Sequence, residues 1–374
     1  MWKKIVFGVA LVISIAAGFG VAKVQNTMNT SLNHITRDKD NVLKDVNLDG
    51  IHVNSDDKIV NILLIGYDLR KENGKDFGGL TDVMMIATLD KKHNTIKLTS
   101  LMRDTLVRIA SNNEDMKLNA AYARGGVKNM YKTIAKNFNI KLDGYAMVGF
   151  KAFQQVVDKI GGVEAELTES ETNYLKDTNY VHGAKNRKKL KVGKQTLNGA
   201  QALGYVRIRS DKNRLGVPVK TANGLTDDYG RTWRQRTLMS AIFKKMKTLS
   251  LSELIAVANK VFDNVKTDLD NDTILGYIKD VAMMGTTDVC QLQIPMNGYY
   301  RDGHQAEFPN SDGWSLVPTN GVSSAYDTSA NAAAIKQFVF QYNGKGEFKY
   351  KSSSSSSSTR LVMLLFIICL PFMI

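Results

Sequence analysis

The stretch K-I-V-N-I-L-L-I-G-Y-D, residues 58–68, sets the reading of the whole chain. Ile59 to Ile65 is a short, nearly continuous apolar run that stops at Gly66. A strand apolar on both faces reads as a buried central strand of an α/β sheet. Asp68 follows its carboxyl end, where open α/β sheets place their ligands. A Gly-rich loop ends in Leu80-Thr81-Asp82, and Val83 to Leu89 reads as a second strand. After a turn at 90–94, Thr95 to Leu101 reads as a third, joined closely enough for an antiparallel pair.

Outward from these strands, alternation of helical and extended patterns continues. Helices are expected over Val127–Phe138, Ala152–Ile160, Leu251–Phe262, Asp272–Met284 and Ala330–Phe340. Strands are expected over Tyr145–Phe150, Gln291–Ile294 and Trp314–Val317, and a Lys-rich surface loop over 168–196.

A second informative stretch runs from Leu203 to Leu249. In L-G-Y-V-R-I-R, Tyr205, Arg207 and Arg209 alternate with Val206 and Ile208, so an extended strand would put both guanidiniums and the phenol on one face. Downstream, Leu238, Ala241, Ile242, Met246 and Leu249 recur at helical spacing, and the stripe runs back to Gln235, Arg234 and Arg231. Asp227 or Asp228 is placed to cap this helix and Gly230 to give a tight entry. Arginine's planar fork fits phosphate oxygens two at a time, and a helix N-terminus favours anions. Several arginines on converging elements therefore read as an oxyanion clamp for phosphate or pyrophosphate; the alternative is a solvated basic face with some arginines paired to Asp211, Asp227 or Asp228.

The chain has 374 residues, is 43% hydrophobic and carries a formal net charge of +14. Nucleic acid, anionic lipid and acidic wall polymers would all attract that charge. Ile5–Ala22 is uncharged and apolar, long enough to cross a bilayer, with Lys3 and Lys4 before it. Those lysines keep the short N-terminal side in the cytoplasm and export the rest. The rival is a signal peptide cleaved after Gly20-Val21-Ala22, which also exports the chain. The expected organisation is a tip at 1–4, an anchor at 5–22, a stalk at 23–57, one domain at 58–345 and a Ser-rich linker with a short apolar tail at 346–374. Leu361–Ile374 reads as a second anchor, a membrane-dipping end or an out-of-frame artefact.

Cys290 and Cys369 make no disulfide framework, and the five histidines are scattered, which argues against a zinc site. No P-loop or Rossmann fingerprint follows a strand, so nucleotide binding has no support. The basic motifs lack interleaved aromatic platforms, and the exported topology argues against nucleic acid. Asp68 and Asp82, two hard carboxylates at strand ends, are candidate Mg²⁺ ligands; taken singly, each also reads as a turn cap or an arginine partner.

Taken together, G-Y-D (66–68), L-T-D (80–82), S-L-M-R-D-T (100–105), K-L-N-A-A-Y (117–122), V-D-K-I-G-G-V (157–163), L-N-G-A-Q-A-L-G-Y-V-R-I-R (197–209) and D-Y-G-R-T-W-R-Q-R (228–236) resemble the LytR-CpsA-Psr family. The resemblance covers about Ile59 to Asn343, with the motifs in the family's order. It implies a mixed central sheet with helices on both sides, a three-layer domain, and an apolar channel for a polyprenyl chain. It also implies transfer of a glycopolymer phosphate from a polyprenyl-pyrophosphate carrier onto peptidoglycan. Under it, Asp68 and Asp82 hold Mg²⁺ (or Mn²⁺), and Arg103, Lys117, Arg207, Arg209, Arg231 and Gln235 contact the pyrophosphate; Arg234 matches the motif as well. Leu80 stands where the family often has Arg or another polar residue. The segment 210–227 is longer than the family's usual link and is expected to form a lid or acceptor-binding loop. Asp104 and Asp228 are read as salt-bridge or capping residues before they are read as bases. Two further functions stay open: a carrier pyrophosphatase, and a non-enzymatic lipid-binding regulator. The polymer, whether wall teichoic acid, capsule or another glycan, is not named by the sequence.

Overall fold

The computed structural model describes residues 46–67, 81–209, 216–250, 265–284, 289–311 and 313–352, with scattered positions at 32–43, 71–72, 75–76, 253 and 256–257. The expected anchor at 5–22, Asp68, the 210–215 part of the arginine-motif link, most of the expected 251–262 helix, and the tail beyond 352 lie outside the described residues. Among the described residues, no helix is long and apolar enough to cross a membrane.

Among the described residues, seven strands form the central sheet: β1 (Thr36–Arg37), β2 (Ile59–Tyr67), β3 (Thr81–Asp90), β4 (Thr95–Leu101), β5 (Gly144–Gly149), β6 (Val265–Thr267) and β7 (Val289–Ile294). Their spatial order is β1-β6-β5-β2-β3-β4-β7. The sheet is mixed. β2 runs antiparallel to β3 and β3 to β4, whereas β5 lies parallel to β2 and β7 parallel to β4. So β2 is central, as its apolar run requires. Ile59, Leu63 and Ile65 enter one core and Val60 another, so both faces are covered. The one polar residue among them is satisfied: Asn61 accepts from the Thr88 hydroxyl at 2.8 Å and donates to the Lys141 carbonyl at 3.1 Å.

Helices cover both faces. α1 (Gly126–Phe138) and α7 (Ser329–Lys336) pack with Leu63, Ile65, Met84 and Ile86 on one side. On the other lie α2 (Phe150–Lys159), α3 (Glu169–Asp177), α4 (Gly199–Arg207) and α5 (Asp227–Lys247). α6 (Asn271–Met284) closes that side against β2, where Tyr277 and Val281 meet Val60.

Three segments depart from the sequence reading. Residues 168–196 are not loop: they hold α3, a short helix at Ala184–Lys188 and a strand at Gly193–Leu197 paired with Val163–Leu167. A capping box starts α3, with Thr168 and Glu171 bonding each other's backbone N–H. Ahead of the boundary expected at Lys58, β1 joins the sheet edge, and Leu32 and Ile35 are buried. At the other end, packing continues past Gly346. Phe348 sits against Phe338 with ring centroids 5.0 Å apart, and Gln337 exchanges two hydrogen bonds with the Lys351 backbone.

Candidate active site

The L-G-Y-V-R-I-R segment is helical, not extended. Asn198 accepts from the Gln201 N–H at 2.9 Å, and its own N–H donates to the Gln201 side chain at 3.0 Å. This reciprocal cap starts α4, which runs to Arg207. Gly204 is needed for packing: a Cβ there would lie 2.5 Å from the Val181 side chain. Tyr205 is therefore a fully buried core residue, while Arg207 closes the helix and Arg209 follows it. The two arginines diverge. The Arg207 guanidinium stands 5.1 Å from the Phe150 ring and 5.7 Å from the Tyr180 ring, a cation–π placement. Arg209 is exposed and faces a polar pocket.

α5 carries the rest. Its N-cap is Thr226, without a side-chain cap bond, and neither Asp227 nor Asp228 caps it. Asp227 takes a left-handed φ of 49°, and Asp228 is buried inside the pocket. Gly230 does not make a turn; it permits close approach, since a Cβ there would meet the Leu225 carbonyl oxygen at 3.0 Å.

Along one stripe of α5 stand Arg231, Gln235, Met239, Ile242 and Met246, at helical spacing. The last four line an apolar cavity of about 290 Å³ between the sheet and α2, α4 and α5. Leu64, Val83, Met85 and Val148 form its floor, and Phe150, Phe153, Leu203 and Val206 its walls. Gln235 is the polar group at its end.

One turn back, Arg231 belongs to a charged cluster. Its guanidinium lies 2.5 Å from a carboxylate oxygen of Asp228, and the Arg103 Nε lies 4.0 Å from the same oxygen. Arg103 also pairs with Asp104 at 3.3 Å, and the Lys117 ammonium lies 3.7 Å from Asp104. Burial pushes the Asp228 carboxyl above its ordinary range; Arg231 acts first against it, with Arg103 and Arg209 assisting and Asp104 opposing them. Asp104, Lys117, Arg209 and Asp228 line an open pocket of about 680 Å³. Asp227 and Asp302 line it too, so Arg103, Lys117, Arg209 and Arg231 meet four carboxylates there, of which Asp104 and Asp228 pair with them. A site with hydrocarbon on one side and clustered cations on the other fits an amphiphile with an anionic head.

The LytR_cpsA_psr family model matches residues 19–314 of the chain. The chain belongs to this family. The relative TagU of Bacillus mycoides (strain KBAB4), a polyisoprenyl-teichoic acid–peptidoglycan teichoic acid transferase, is 32% identical over 317 residues, covering 82% of this chain and 90% of the relative. Among solved structures, protein gbs0355 of Streptococcus agalactiae aligns with a TM-score of 0.60 at 23% identity, covering 78% of this chain and 92% of that one. Bacillus subtilis TagV aligns with a TM-score of 0.56 at 24% identity, covering 77% and 99%. These two likenesses speak to the fold, and they agree with the mixed sheet and flanking helices described above.

Within this LytR_cpsA_psr domain, Arg234 does not join the cluster. Its Nε donates to Glu171 at 2.6 Å, its NH1 donates to the Ile208 carbonyl at 3.3 Å, and its side chain is 1% exposed. It fastens α5 to α3 and to the end of α4, so the pyrophosphate contact expected from the motif is replaced by a structural one. Glu171 was missed because 168–196 reads as polar loop; the T-E-S-E capping pattern at 168–171 was the available signal.

Of the two expected metal ligands, Asp68 lies outside the described residues and only the backbone of Asp82 is described. That backbone is informative. Gly66 pairs with Val83 and Tyr67 with Thr81, so Asp82 is the extra residue of a β-bulge, directly across from the residue that precedes Asp68. Bulges re-aim side chains beside active sites. The bulge lies at the Gly66–Val83 end of the strand pair, which borders the apolar cavity.

Proposed function

We propose that this protein transfers a glycopolymer phosphate from a polyprenyl-pyrophosphate carrier to peptidoglycan. The observation that carries the reading is the single stripe of α5, where Arg231 in a cation cluster gives way through Gln235 to the hydrocarbon wall of Met239, Ile242 and Met246. A carrier lying along it would put its prenyl tail in the cavity and its diphosphate among Arg103, Lys117, Arg209 and Arg231. Arg207, over Phe150 at the cavity wall, supplies a further cation near the first prenyl units. The transferase name carried by TagU supports the same substrate class.

The reaction exchanges one P–O bond for another. The acceptor hydroxyl oxygen attacks the glycan-side phosphorus, and the bond to the bridging oxygen breaks. Polyprenyl phosphate departs with that oxygen. Negative charge spreads over the equatorial and leaving oxygens, and fixed cations in a pocket partly screened from water stabilise it. The Asp228 carboxylate, set against Arg231 and with its proton affinity raised by burial, is assigned to receive the hydroxyl proton. Asp68 and Asp82 would hold Mg²⁺ (Mn²⁺ also suits oxygen ligands), which when bound supplies further positive charge to the phosphate oxygens. The apolar segment at 5–22 would anchor the domain on the outer face of the cell membrane, within reach of carrier and wall.

The decisive assay presents the protein with sugar-bearing polyprenyl pyrophosphate and isolated peptidoglycan. The expected product is saccharide joined covalently to peptidoglycan. Release of saccharide phosphate with nothing joined would replace transfer by hydrolysis. A second test addresses the tail. Filling the cavity by Met239→Trp should weaken binding of polyprenyl pyrophosphate by about tenfold, equivalent to about 1.4 kcal/mol, and leave inorganic pyrophosphate binding unchanged. Equal losses for both ligands would place the tail elsewhere.

A further inference from the structure

The charged pocket does not end at Asp228. Tyr229 and Tyr300, which line it, stack on each other with centroids 5.4 Å apart and planes 29° apart. The same two rings also line a second cleft of about 610 Å³. That cleft differs from its neighbour in chemistry. Its wall is aromatic, with Tyr299 set edge-on to Tyr350 at 5.3 Å and Phe348 beside them. Among the described residues, none that lines it is charged. Besides Thr226 and the tyrosine hydroxyls, its polar groups are the amides of Gln291, Gln293 and Asn297. The first two are oriented by Arg236, which donates to the Gln291 oxygen at 3.3 Å and to the Gln293 oxygen at 3.1 Å. Gln291 in turn donates to the Ser240 hydroxyl at 2.9 Å.

Aromatic faces with fixed amides and no net charge suit a pyranose. Its C–H face stacks on a ring, and its hydroxyl or acetamido groups meet the amides. Bare prenyl chain is better served by the neighbouring hydrocarbon cavity, and a polyphosphate or nucleic acid would need the cations this cleft lacks. We propose that the cleft is a saccharide subsite, opening through the Tyr229–Tyr300 stack onto the pocket where the phosphorus would react. The inference rests on the function proposed above and adds where the sugar lies. The sugar has two sources, the acceptor glycan and the saccharide next to the carrier's diphosphate.

The test uses the full chain and two probes in titration calorimetry: a peptide-free peptidoglycan tetrasaccharide, and polyprenyl pyrophosphate with and without a disaccharide. Tyr350→Ala removes one aromatic face and should weaken saccharide binding by about tenfold. Asn297→Ala, at an exposed position, should weaken it by about threefold and keeps the test decisive if Tyr350→Ala fails to fold. A loss confined to the tetrasaccharide assigns the cleft to the acceptor. A loss confined to the disaccharide-bearing carrier, with the sugar-free carrier unaffected, assigns it to the donor. Wild-type affinity of folded Asn297→Ala for both saccharides, or no saccharide binding by the wild type, overturns the proposal. Saccharide binding that responds to these variants in a protein unable to join polymer to peptidoglycan would sink the transfer reading and leave the subsite standing.

Discussion

Arg231→Ala should lower the rate of transfer by about 10²–10³-fold, the usual cost of removing one donor aimed at developing charge. The same change should destabilise the domain. It leaves the buried Asp228 carboxylate with Arg103 at 4.0 Å as the nearer of its remaining cations, and stranding one member of a buried pair costs about 3–5 kcal/mol. Rate and stability are separable by a second substitution. In Arg231→Ala/Asp228→Asn the orphaned charge is gone, so the urea midpoint should return most of the way. The transfer rate, measured per folded molecule in single-turnover assays, should fall well below that of Asp228→Asn alone, which already lacks the assigned proton acceptor. Equal rates for the double variant and Asp228→Asn, with stability restored, would make Arg231 a structural residue and remove it from the clamp.

Glu171→Ala is expected to have the largest effect on stability, about 3–5 kcal/mol by chemical denaturation. Arg234 is 1% exposed and would lose its carboxylate, and α3 would lose the capping contact from Glu171 to the Thr168 N–H at 2.8 Å. Arg234→Met paired with Glu171→Gln should recover much of the loss, because the charge is removed from both sides and glutamine can still accept from Thr168. Single-turnover rates of that double variant should stay within about threefold of wild type, since Arg234 points away from the pocket. A hundredfold loss of rate in a stable double variant would return Arg234 to the phosphate site.

The contrast between Arg231 and Arg234 shows where sequence reasoning stops. Both lie on α5, and a helix turning 100° per residue puts residues 231, 234 and 235 within one broad face. Periodicity therefore cannot say which arginine meets the ligand. The choice is made by Glu171, a partner 63 residues earlier in a stretch whose lysines read as loop. The strand-like alternation of Tyr205, Arg207 and Arg209 misled for a related reason. Five residues are too few to separate a period of 2 from 3.6, and the deciding signal, the Asn198–Gln201 cap, lies outside them. The sheet's middle was legible, because β2 and β3 hold apolar runs with clear stops and β4 follows β3 across a short turn. Its edge was not: β1 is two polar residues, Thr36 and Arg37, recruited by pairing with β6. Phe348 and Tyr350 were hidden by the glycines and charges around them, and only the fold back toward α7 gives them a wall to pack on.

One rigid helix holds both the ionic and the oily part of the proposed binding groove. From Gln235 to Met246 the rise is about 16 Å, and neither end can shift without the other. Such a ruler gauges where the head joins the chain, and it inspects only the opening prenyl units. Carriers that differ in total length beyond that span should look alike to the enzyme, whereas a changed geometry or saturation near the head would be felt at once.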